Sequence, residues 1–205
     1  MKIDKLRATL STLVCALFLA PQWGIARAET AIATFAGGCF WCMQPPFDRL
    51  PGVLSTTVGY TGGRTPNPTY EEVSSGTTGH VEAMQVAYDP AQIGYRQLLT
   101  VFWHNVDPYS PNGQFCDFGD SYRAAIFVHS SEQKQLAEES RHAIETQAKG
   151  GRPVVTAIVA AGPFYPAEEY HQDYYRKNAL RYKFYRYRCG RDAMLRDLWG
   201  DAAGH

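Results

Sequence analysis

The 205-residue sequence has no surplus of charge of either sign. It contains 20 basic and 20 acidic residues, so its net charge is zero at neutral pH with the histidines neutral. It also has no basic tract, which argues against nucleic acid or another polyanion as a partner. Internal repeats, linkers and low-complexity segments are absent as well. These absences predict an ordinary globular chain rather than a fibrous or disordered one.

Long apolar runs are absent beyond the first 30 residues. The uncharged run over residues 8–20 follows a basic start and precedes the small-x-small signature Ala26–Ala28. It is too short to cross a bilayer, and the pattern is typical of a signal peptide cut before Glu29. An uncleaved membrane anchor is the alternative. We expect a signal peptide over residues 1–28, one domain over residues 29–205, a periplasmic or otherwise exported location, and no stable membrane association.

Cysteine is scarce. Cleavage before Glu29 would leave 177 residues with 16 basic and 19 acidic side chains, and with four cysteines: Cys39, Cys42, Cys116 and Cys189. A domain of this size does not need disulfide staples, and the spacings do not resemble a dense disulfide framework. A redox role therefore competes with a structural one. A zinc site is less favoured, because no second Cys/His pair follows the first at finger-like spacing.

Runs rich in valine, isoleucine, threonine and aromatic residues indicate strands over 30–36, 53–61, 81–89, 122–130 and 153–161. Helical patterns lie at about 45–50, 69–75, 94–105, 131–149 and 166–178. Strands interleaved with helices predict an α/β or α+β domain. The polar and aromatic segment from Arg181 onward has little apolar periodicity, so we expect an extended C-terminal tail with mobile parts.

The stretch ATFAGGCFWCMQPPF, residues 33–47, carries the strongest signal. A strand is followed by a Gly37-Gly38 turn, and Cys39 then begins a helical turn. A helix N-terminus stabilises a thiolate and can lower a cysteine pKa to roughly 3.5–7.5. The Pro45-Pro46 pair predicts a break after residue 43 and a second helical piece. The alternative is an inert buried pair of cysteines among core aromatic residues.

Several further motifs follow in order: GYTGG (59–63), PTYEEV (68–73), GHVEAMQVAYDP (79–90), DPYSPNGQFCDFGDSYRAAIF (107–127) and AEEYHQDYY (167–175). With GCFW, they make the chain resemble methionine sulfoxide reductase type A over nearly all of residues 33–175. The resemblance implies an α/β (α+β) sandwich around a mixed sheet with a ferredoxin-like β-α-β-β-α-β core. It also implies thiol-dependent reduction of the S epimer of methionine sulfoxide, free or in proteins, and hence repair of oxidised exported proteins.

The resemblance assigns roles to matching residues. Cys39 matches the nucleophile that becomes a sulfenic acid, and Glu82 matches the acid that protonates the sulfoxide oxygen. That task requires the Glu82 pKa to be raised by an apolar, buried site. Tyr70 and Tyr122 match the two tyrosines that hydrogen-bond the sulfoxide oxygen.

The remaining matches concern substrate binding. Phe40 and Trp41 match the apolar pocket for the substrate methyl group, and Asp117 matches the acceptor for the substrate's backbone N–H. His171, expected on a helix, would order the polar network of the site. The family implies no metal and no bound cofactor.

A sulfenic acid condenses with a nearby thiol, and the disulfide is then opened by a reductant. We favour Cys189 as this resolving cysteine, then Cys116, then Cys42, because Cys189 lies in the segment predicted to be mobile and the Cys42 side chain need not face Cys39. The expected reductant is a thioredoxin-like protein, and we expect the enzyme to be a monomer.

Two other functions stay open at this point. A thioredoxin-like disulfide oxidoreductase would use Cys39 and Cys42, but it would place a tryptophan before the first cysteine, whereas Trp41 lies between the two. An exported metal-binding protein would use cysteine and histidine ligands.

Overall fold

The computed structural model describes residues 30–148 and 151–204. The signal peptide predicted over residues 1–28 lies outside these ranges. None of the helices within the described ranges combines the length and apolar character that crossing a bilayer requires.

The strands are β1 Ala31–Ala36, β2 Val53–Thr61, β3 Val81–Tyr88, β4 Gly113–Gln114, β5 Asp117–Phe118, β6 Ala125–Val128, β7 Ala157–Ala160 and β8 Phe164–Pro166. The helices are α1 Phe40–Asp48, α2 Tyr70–Ser74, α3 Tyr95–Trp103, α4 Ser131–Gln147, α5 Tyr174–Lys177, α6 Ala179–Arg188 and α7 Arg191–Trp199. Short 3-10 turns cover Asp120–Tyr122 and Gly200–Ala202.

Six of the strands form one mixed sheet in the order β7-β6-β1-β3-β2-β8. β6 and β7 run parallel, and the other neighbours are antiparallel. The succession β1-α1-β2-β3-α3-β6, with its strands in the order β6-β1-β3-β2, is the expected ferredoxin-like core. The predicted α/β class and mixed sheet are therefore confirmed. The short strands β4, β5 and β8 were missed because two or three residues carry no usable periodicity.

The register of the central strands sets the position of the site. Phe35 of β1 lies opposite Met84 of β3, and Tyr60 of β2 lies opposite Glu82. The end of β1 thus lies beside the start of β3. Because side chains alternate along a strand, Glu82 and Met84 point to the same face of the sheet.

Helices α1 and α3 cover that face. The largest fully buried apolar side chains include Phe35, Phe47, Met84, Leu98, Phe102 and Trp103. Each such side chain contributes about 1.5–3 kcal/mol when it is removed from water. This core holds the N-terminus of α1 rigidly against the start of β3.

Helix α1 runs unbroken through Pro45 and Pro46, so the predicted break after residue 43 is wrong. Pro45 lacks an N–H for the carbonyl of Trp41, which is the cost that the prediction relied on. Met43 and Phe47 are buried in the core, and the two prolines are buried beside them. The burial of this face of α1 in the core stabilises the helix by more than the backbone hydrogen bonds missing at Pro45 and Pro46 would contribute.

The helix predicted over residues 166–178 is present only as α5, and His171 lies in a turn before it. Asp173 has a φ of +53°, which a helix does not allow. The side chain of Gln172 bonds both the backbone N–H and the carbonyl of Val58. These contacts of Gln172 help to hold residues 169–173 in turns.

The C-terminal segment is not an extended tail, because it forms helices α6 and α7. Tyr182 is the buried side chain of α6, while Arg191 and Leu195 are the buried side chains of α7. One or two buried positions per helix are too few to produce a detectable apolar period. The expectation of an extended segment was therefore wrong.

Candidate active site

The site begins at the turn between β1 and α1. Gly38 has a φ of +77°, which a glycine adopts without strain. A Cβ at this position would lie 2.5 Å from the Cβ of the buried Gln114. Cys39 follows as the N-cap residue of α1, with no side-chain cap of its own. The predicted strand, glycine turn and helix start are all present.

Cys39 and Cys42 are buried and unbridged, and their sulfur atoms share a hydrogen bond. They occupy the N-cap and N3 positions of α1, whose side chains lie on one side of the first helical turn. The expectation that Cys42 need not face Cys39 was therefore wrong.

The hydrogen bond to Cys39, together with the smaller effects of the Arg191 and Arg186 charges, lowers the pKa of Cys42 to about 6 against the opposing effect of burial. Burial raises the pKa of Cys39 well above its usual value, and the contact with Cys42 adds to this. The expected low pKa of Cys39 is thus wrong for the resting thiol pair. These opposite shifts favour a pair that shares one proton, with the negative charge on Cys42.

Glu82 lies at the start of β3, 3% exposed, and its Oε2 accepts a 3.0 Å hydrogen bond from the backbone N–H of Phe40. Burial raises the pKa of Glu82 to about 8, although the Phe40 hydrogen bond opposes this; the charges of Asp117 and Cys42 add to it. The predicted raised pKa is confirmed. Glu82 is thus mostly protonated at pH 7.

Residues from the starts of α1 and α2, from β3 and β5, from the 3-10 turn Asp120–Tyr122 and from α6 line a small cavity of about 70 Å³. Its lining consists of Cys39, Phe40, Trp41, Tyr70, Glu82, Asp117, Tyr122 and Tyr185. Since one water needs roughly 10–15 Å³ of such space, a group of a few heavy atoms such as CH₃–S=O fits. Burial raises the pKa of the Tyr70 and Tyr122 hydroxyls, which keeps both as hydrogen-bond donors.

Pockets larger than this 70 Å³ cavity lie elsewhere on the protein. One of about 580 Å³ lies on the opposite face of the sheet, lined by small and apolar residues with Arg123 as the one charged side chain. Its residues Val81 and Ala125 alternate with Glu82 and Ile126, which face the helices. The chemistry-bearing side chains therefore converge on the smaller cavity.

The aromatic wall is held by residues behind it. The Trp41 ring stacks on Tyr174 at 3.8 Å between centroids, and its Nε1–H donates a 3.0 Å hydrogen bond to Nδ1 of His171. Burial lowers the pKa of His171, so the ring is neutral with its proton on Nε2. His171 thus orders Trp41 and does not itself line the cavity.

Asp117 closes the cavity on the side of β5. Its Oδ2 accepts a 2.6 Å hydrogen bond from the hydroxyl of Tyr185 on α6. Burial raises the pKa of Asp117, whereas the Tyr185 hydrogen bond and the charge of Arg191 lower it. A carboxylate with one oxygen bonded in this way still offers its other oxygen to a donor on a substrate.

The structure pairs Cys189 with the exposed Cys116 in a disulfide, with 5.0 Å between their Cα atoms. Cys189 is therefore not free to capture a sulfenic acid at Cys39 in this form, contrary to the favoured order. These two cysteines and Asp117 are the only cluster in the described ranges suited to a metal ion. The disulfide already occupies both of its sulfur ligands.

Several site residues were not found from the sequence: Glu168, Tyr174, Tyr185 and Arg191. Glu168 accepts hydrogen bonds from the Tyr70 backbone N–H at 2.9 Å and from the Tyr60 hydroxyl at 2.8 Å. Glu168 and Tyr174 lie in the motif AEEYHQDYY, which was the available signal. Tyr185 and Arg191 lie in the segment expected to be extended, and no local pattern marks them.

Comparison with known proteins decides the family. The family model for peptide methionine sulfoxide reductase matches residues 31–203. The chain belongs to this family. It is 54% identical over 169 residues to the peptide methionine sulfoxide reductase MsrA of Bacillus licheniformis, covering 82% of this chain and 93% of that protein. The predicted type A reductase is confirmed.

Solved structures of methionine sulfoxide reductases are similar to this structure. The methionine sulfoxide reductase A of Corynebacterium diphtheriae superimposes with a TM-score of 0.71 at 35% identity, covering 76% of this chain and 78% of that one. Mxr1 of Saccharomyces cerevisiae in reduced form gives a TM-score of 0.69 at 31% identity over 74% and 87%. Mxr1 has also been solved in complex with Trx2. The enzyme is an oxidoreductase of the expected class, a peptide-methionine (S)-S-oxide reductase.

Proposed function

We propose that the enzyme reduces methionine-S-sulfoxide by a two-cysteine mechanism in which Cys39 attacks the sulfoxide sulfur. The observation that carries this proposal is that Cys39 and Glu82 line the same 70 Å³ cavity. The Tyr70 and Tyr122 hydroxyls line it too, as donors for the sulfoxide oxygen. Phe40 and Trp41 offer an apolar wall to the methyl group, which is worth roughly a kcal/mol when buried.

The first step uses the shared proton of the thiol pair. The Cys39 proton moves to the Cys42 thiolate, and the Cys39 thiolate forms a bond to the sulfoxide sulfur. Glu82 gives its proton to the oxygen, and the resulting hydroxyl passes to the Cys39 sulfur as the sulfur–sulfur bond breaks. The products are methionine, a Cys39 sulfenic acid and an ionised Glu82. The sulfoxide is reduced and Cys39 is oxidised by two electrons.

Cys42 then resolves the sulfenic acid. Its sulfur bonds to the Cys39 sulfur, the hydroxide leaves, and the Cys42 proton converts the hydroxide to water. The support for Cys42 over the favoured Cys189 is its contact with Cys39, together with the engagement of Cys189 in a bond to Cys116. Fast capture protects Cys39 from over-oxidation to sulfinic acid.

A dithiol must then open the Cys39–Cys42 disulfide. We propose a thioredoxin-like reductant, which fits thiol–disulfide exchange chemistry and the solved complex of the relative Mxr1 with Trx2. No bound cofactor enters this scheme.

We further propose that residues 29–205 act as one monomeric catalytic domain that repairs oxidised exported proteins. The basic, apolar and small-residue pattern before Glu29 supports export. N-terminal sequencing of the protein from a secreting host tests it, since a mature chain that begins at Met1 contradicts cleavage. Size-exclusion chromatography tests the monomer.

The deciding experiment incubates the protein with dithiothreitol and each epimer of a blocked methionine sulfoxide. Reduction of the S epimer alone is expected, and reduction of the R epimer alone or of neither overturns the proposal. The second arm adds one equivalent of the S epimer without reductant and identifies disulfide peptides by mass spectrometry. A Cys39–Cys42 peptide is expected; a dominant Cys39–Cys189 or Cys39–Cys116 peptide contradicts the role of Cys42.

A further inference from the structure

Arg191, the first residue of α7, is fully buried beneath the turn that leads to Cys39. Its Nη2 donates hydrogen bonds to the carbonyl of Gly37 at 3.0 Å and to that of Asn105 at 2.8 Å. The same nitrogen lies 3.4 Å from the sulfur of Met43, the residue after the second thiol. Because a guanidinium is always protonated in proteins, a full positive charge is buried next to the thiol pair.

Among the described residues, no carboxylate forms an ion pair with this buried charge. The ion pairs found among residues 30–148 and 151–204 are made by other side chains, and Arg191 forms none of them. Within the same ranges, its Nε and Nη1 make no hydrogen bond. The Phe115 ring lies 4.4 Å from the guanidinium carbon in a cation–π contact. Burying a charge without an oppositely charged partner is costly, so this site favours an anion near the guanidinium.

The thiol pair is a suitable anion. The titratable and charged groups that interact with Cys39 and Cys42 come from six elements. They are Tyr70 of α2, Glu82 of β3, Asp117 of β5, Tyr122 of the 3-10 turn, Tyr182, Tyr185 and Arg186 of α6, and Arg191 of α7. Arg186 already pairs with Asp192 at 2.6 Å. Glu82 is mostly protonated at neutral pH. Arg191 therefore remains as the cation without a partner of its own, facing Asp117 and the thiol pair.

We propose that Arg191 is a positioning residue with two tasks: it fixes the glycine turn before Cys39, and it is the buried counter-cation of the negative charge shared by Cys39 and Cys42. This inference rests on the proposed two-cysteine chemistry. The disulfide form of the pair has lost that charge, so Arg191 stabilises the reduced form relative to the disulfide. When the reduced dithiol form of a cysteine pair is stabilised, the disulfide form becomes a stronger oxidant. A reductant then opens that disulfide more easily.

The test uses the full chain with the Cys116–Cys189 disulfide intact. Arg191→Met removes the charge and keeps the length of the side chain, whereas Arg191→Lys keeps the charge. Arg188→Met removes an exposed positive charge from α6 and is the matched control. Protein labelled with ¹³C at the cysteine Cβ atoms reports by NMR the protonation midpoint of each thiol, without substrate and without a reagent entering the site. Equilibration with dithiothreitol reports the reduction potential of the pair.

We expect Arg191→Met to raise the Cys42 midpoint by about one pH unit or more. We also expect it to shift the equilibrium toward the Cys39–Cys42 disulfide by about tenfold, which is about 30 mV. Arg191→Lys should stay close to the unmodified enzyme, and Arg188→Met should change neither quantity. An unchanged midpoint and potential in folded Arg191→Met overturns the proposal, as does an equal shift in Arg188→Met.

If Arg191→Met does not fold, the thiol midpoints of Arg191→Lys test whether Arg191 is the counter-cation. A Cys42 midpoint close to that of the unmodified enzyme supports the counter-cation, and a midpoint raised to that of free cysteine overturns it. Failure of the proposed function has a different signature, namely that the unmodified enzyme does not reduce the S epimer. The two failures are therefore distinguishable.

Discussion

The backbone N–H of Phe40 donates a 3.0 Å hydrogen bond to the buried carboxyl group of Glu82. This bond attaches the proposed acid to the first residue of the helix whose N-terminal turn holds both thiols. Acid and nucleophile are therefore held in one geometry by neighbouring strands and a helix start, with no mobile loop between them.

Glu82→Gln should slow sulfenic acid formation by roughly 10²–10⁴-fold, because an amide cannot deliver a proton to the sulfoxide oxygen. The unmodified enzyme should lose activity in this step as the pH rises through about 8, the pKa of Glu82, and the variant should lack this dependence. Single-turnover kinetics from pH 6 to 9 measure both effects. A variant with the unmodified rate constant would place the acid elsewhere.

The raised pKa of Glu82 also determines how the free energy of unfolding should change with pH. Because the folded pKa lies above the unfolded value of 4.5, the folded state holds a proton that the unfolded state has released. Stability from this group therefore falls as the pH rises from about 4.5 to about 8. Urea unfolding of Glu82→Gln serves as the control, since its stability should fall less over that range.

Cys42→Ser should leave one stoichiometric turnover intact and strongly reduce steady-state activity with a thioredoxin-type donor. The sulfenic acid would then have no partner thiol in contact with Cys39. Dithiothreitol should partly restore turnover by reaching the sulfenic acid directly. Cys189→Ser is the comparison: if it loses steady-state activity while Cys42→Ser keeps it, Cys189 resolves the sulfenic acid.

The double variant Cys116→Ser/Cys189→Ser should lower the free energy of unfolding by roughly 2–5 kcal/mol, because the disulfide joins residues 73 apart. Urea unfolding with and without reductant measures this loss. Sulfoxide reduction with dithiothreitol should persist at temperatures where the variant is folded. Complete loss of activity in the folded variant would give the pair a direct part in turnover.

Tyr185→Phe should raise KM with little change in kcat, because Asp117 loses the 2.6 Å hydrogen bond that holds it. A single hydrogen bond is worth about 0.5–1.5 kcal/mol, which corresponds to a KM increase of roughly two- to tenfold. Tyr187→Phe, at an 81% exposed position of the same helix, should change nothing. A substrate analogue with an ester oxygen in place of the backbone N–H should be insensitive to the change if Asp117 binds that N–H.

Gly38→Ala should destabilise the enzyme and lower its kcat. Gly76→Ala is the matched control, because the two glycines have φ values of +77° and +76° but no atom lies within 4 Å of a Cβ at Gly76. Both variants carry the left-handed strain of about 1–2 kcal/mol. Only Gly38→Ala also collides with Gln114, which adds roughly 1–3 kcal/mol. Equal unfolding free energies and equal kcat values would contradict the close packing at Gly38.

The parts of the enzyme that the sequence predicted correctly are those with a local signature. The central strands show period-two patterns, and the glycine turn marks the start of α1. The residues that resemble the family motifs, including Cys39, Glu82 and Tyr122, meet at one cavity. Their convergence depends on a core whose apolar pattern is visible along the chain.

The features that were not predicted from the sequence have other causes. The pairing of Cys116 with Cys189 depends on contacts between distant segments, which no local pattern encodes. From the sequence alone, Arg191 would be expected at the surface like most arginines. Its hydrogen-bond acceptors are carbonyls of two distant segments, so nothing near it in the sequence indicates that it is buried. The contact between the two motif thiols was predictable in principle, since N-cap and N3 side chains lie on one side of a helical turn.

The order of the four cysteines among the described residues has a consequence for oxidative folding. The chain is made from its N-terminus, so Cys39, Cys42 and Cys116 all emerge before Cys189, which is followed by only 16 residues. Among these four cysteines, an oxidant that acts early can therefore join Cys116 only to a catalytic thiol. The catalytic thiols are covered by Tyr182 of α6, the helix whose C-cap residue is Cys189. Docking of α6 therefore buries the reactive pair in the same step that brings Cys189 to Cys116.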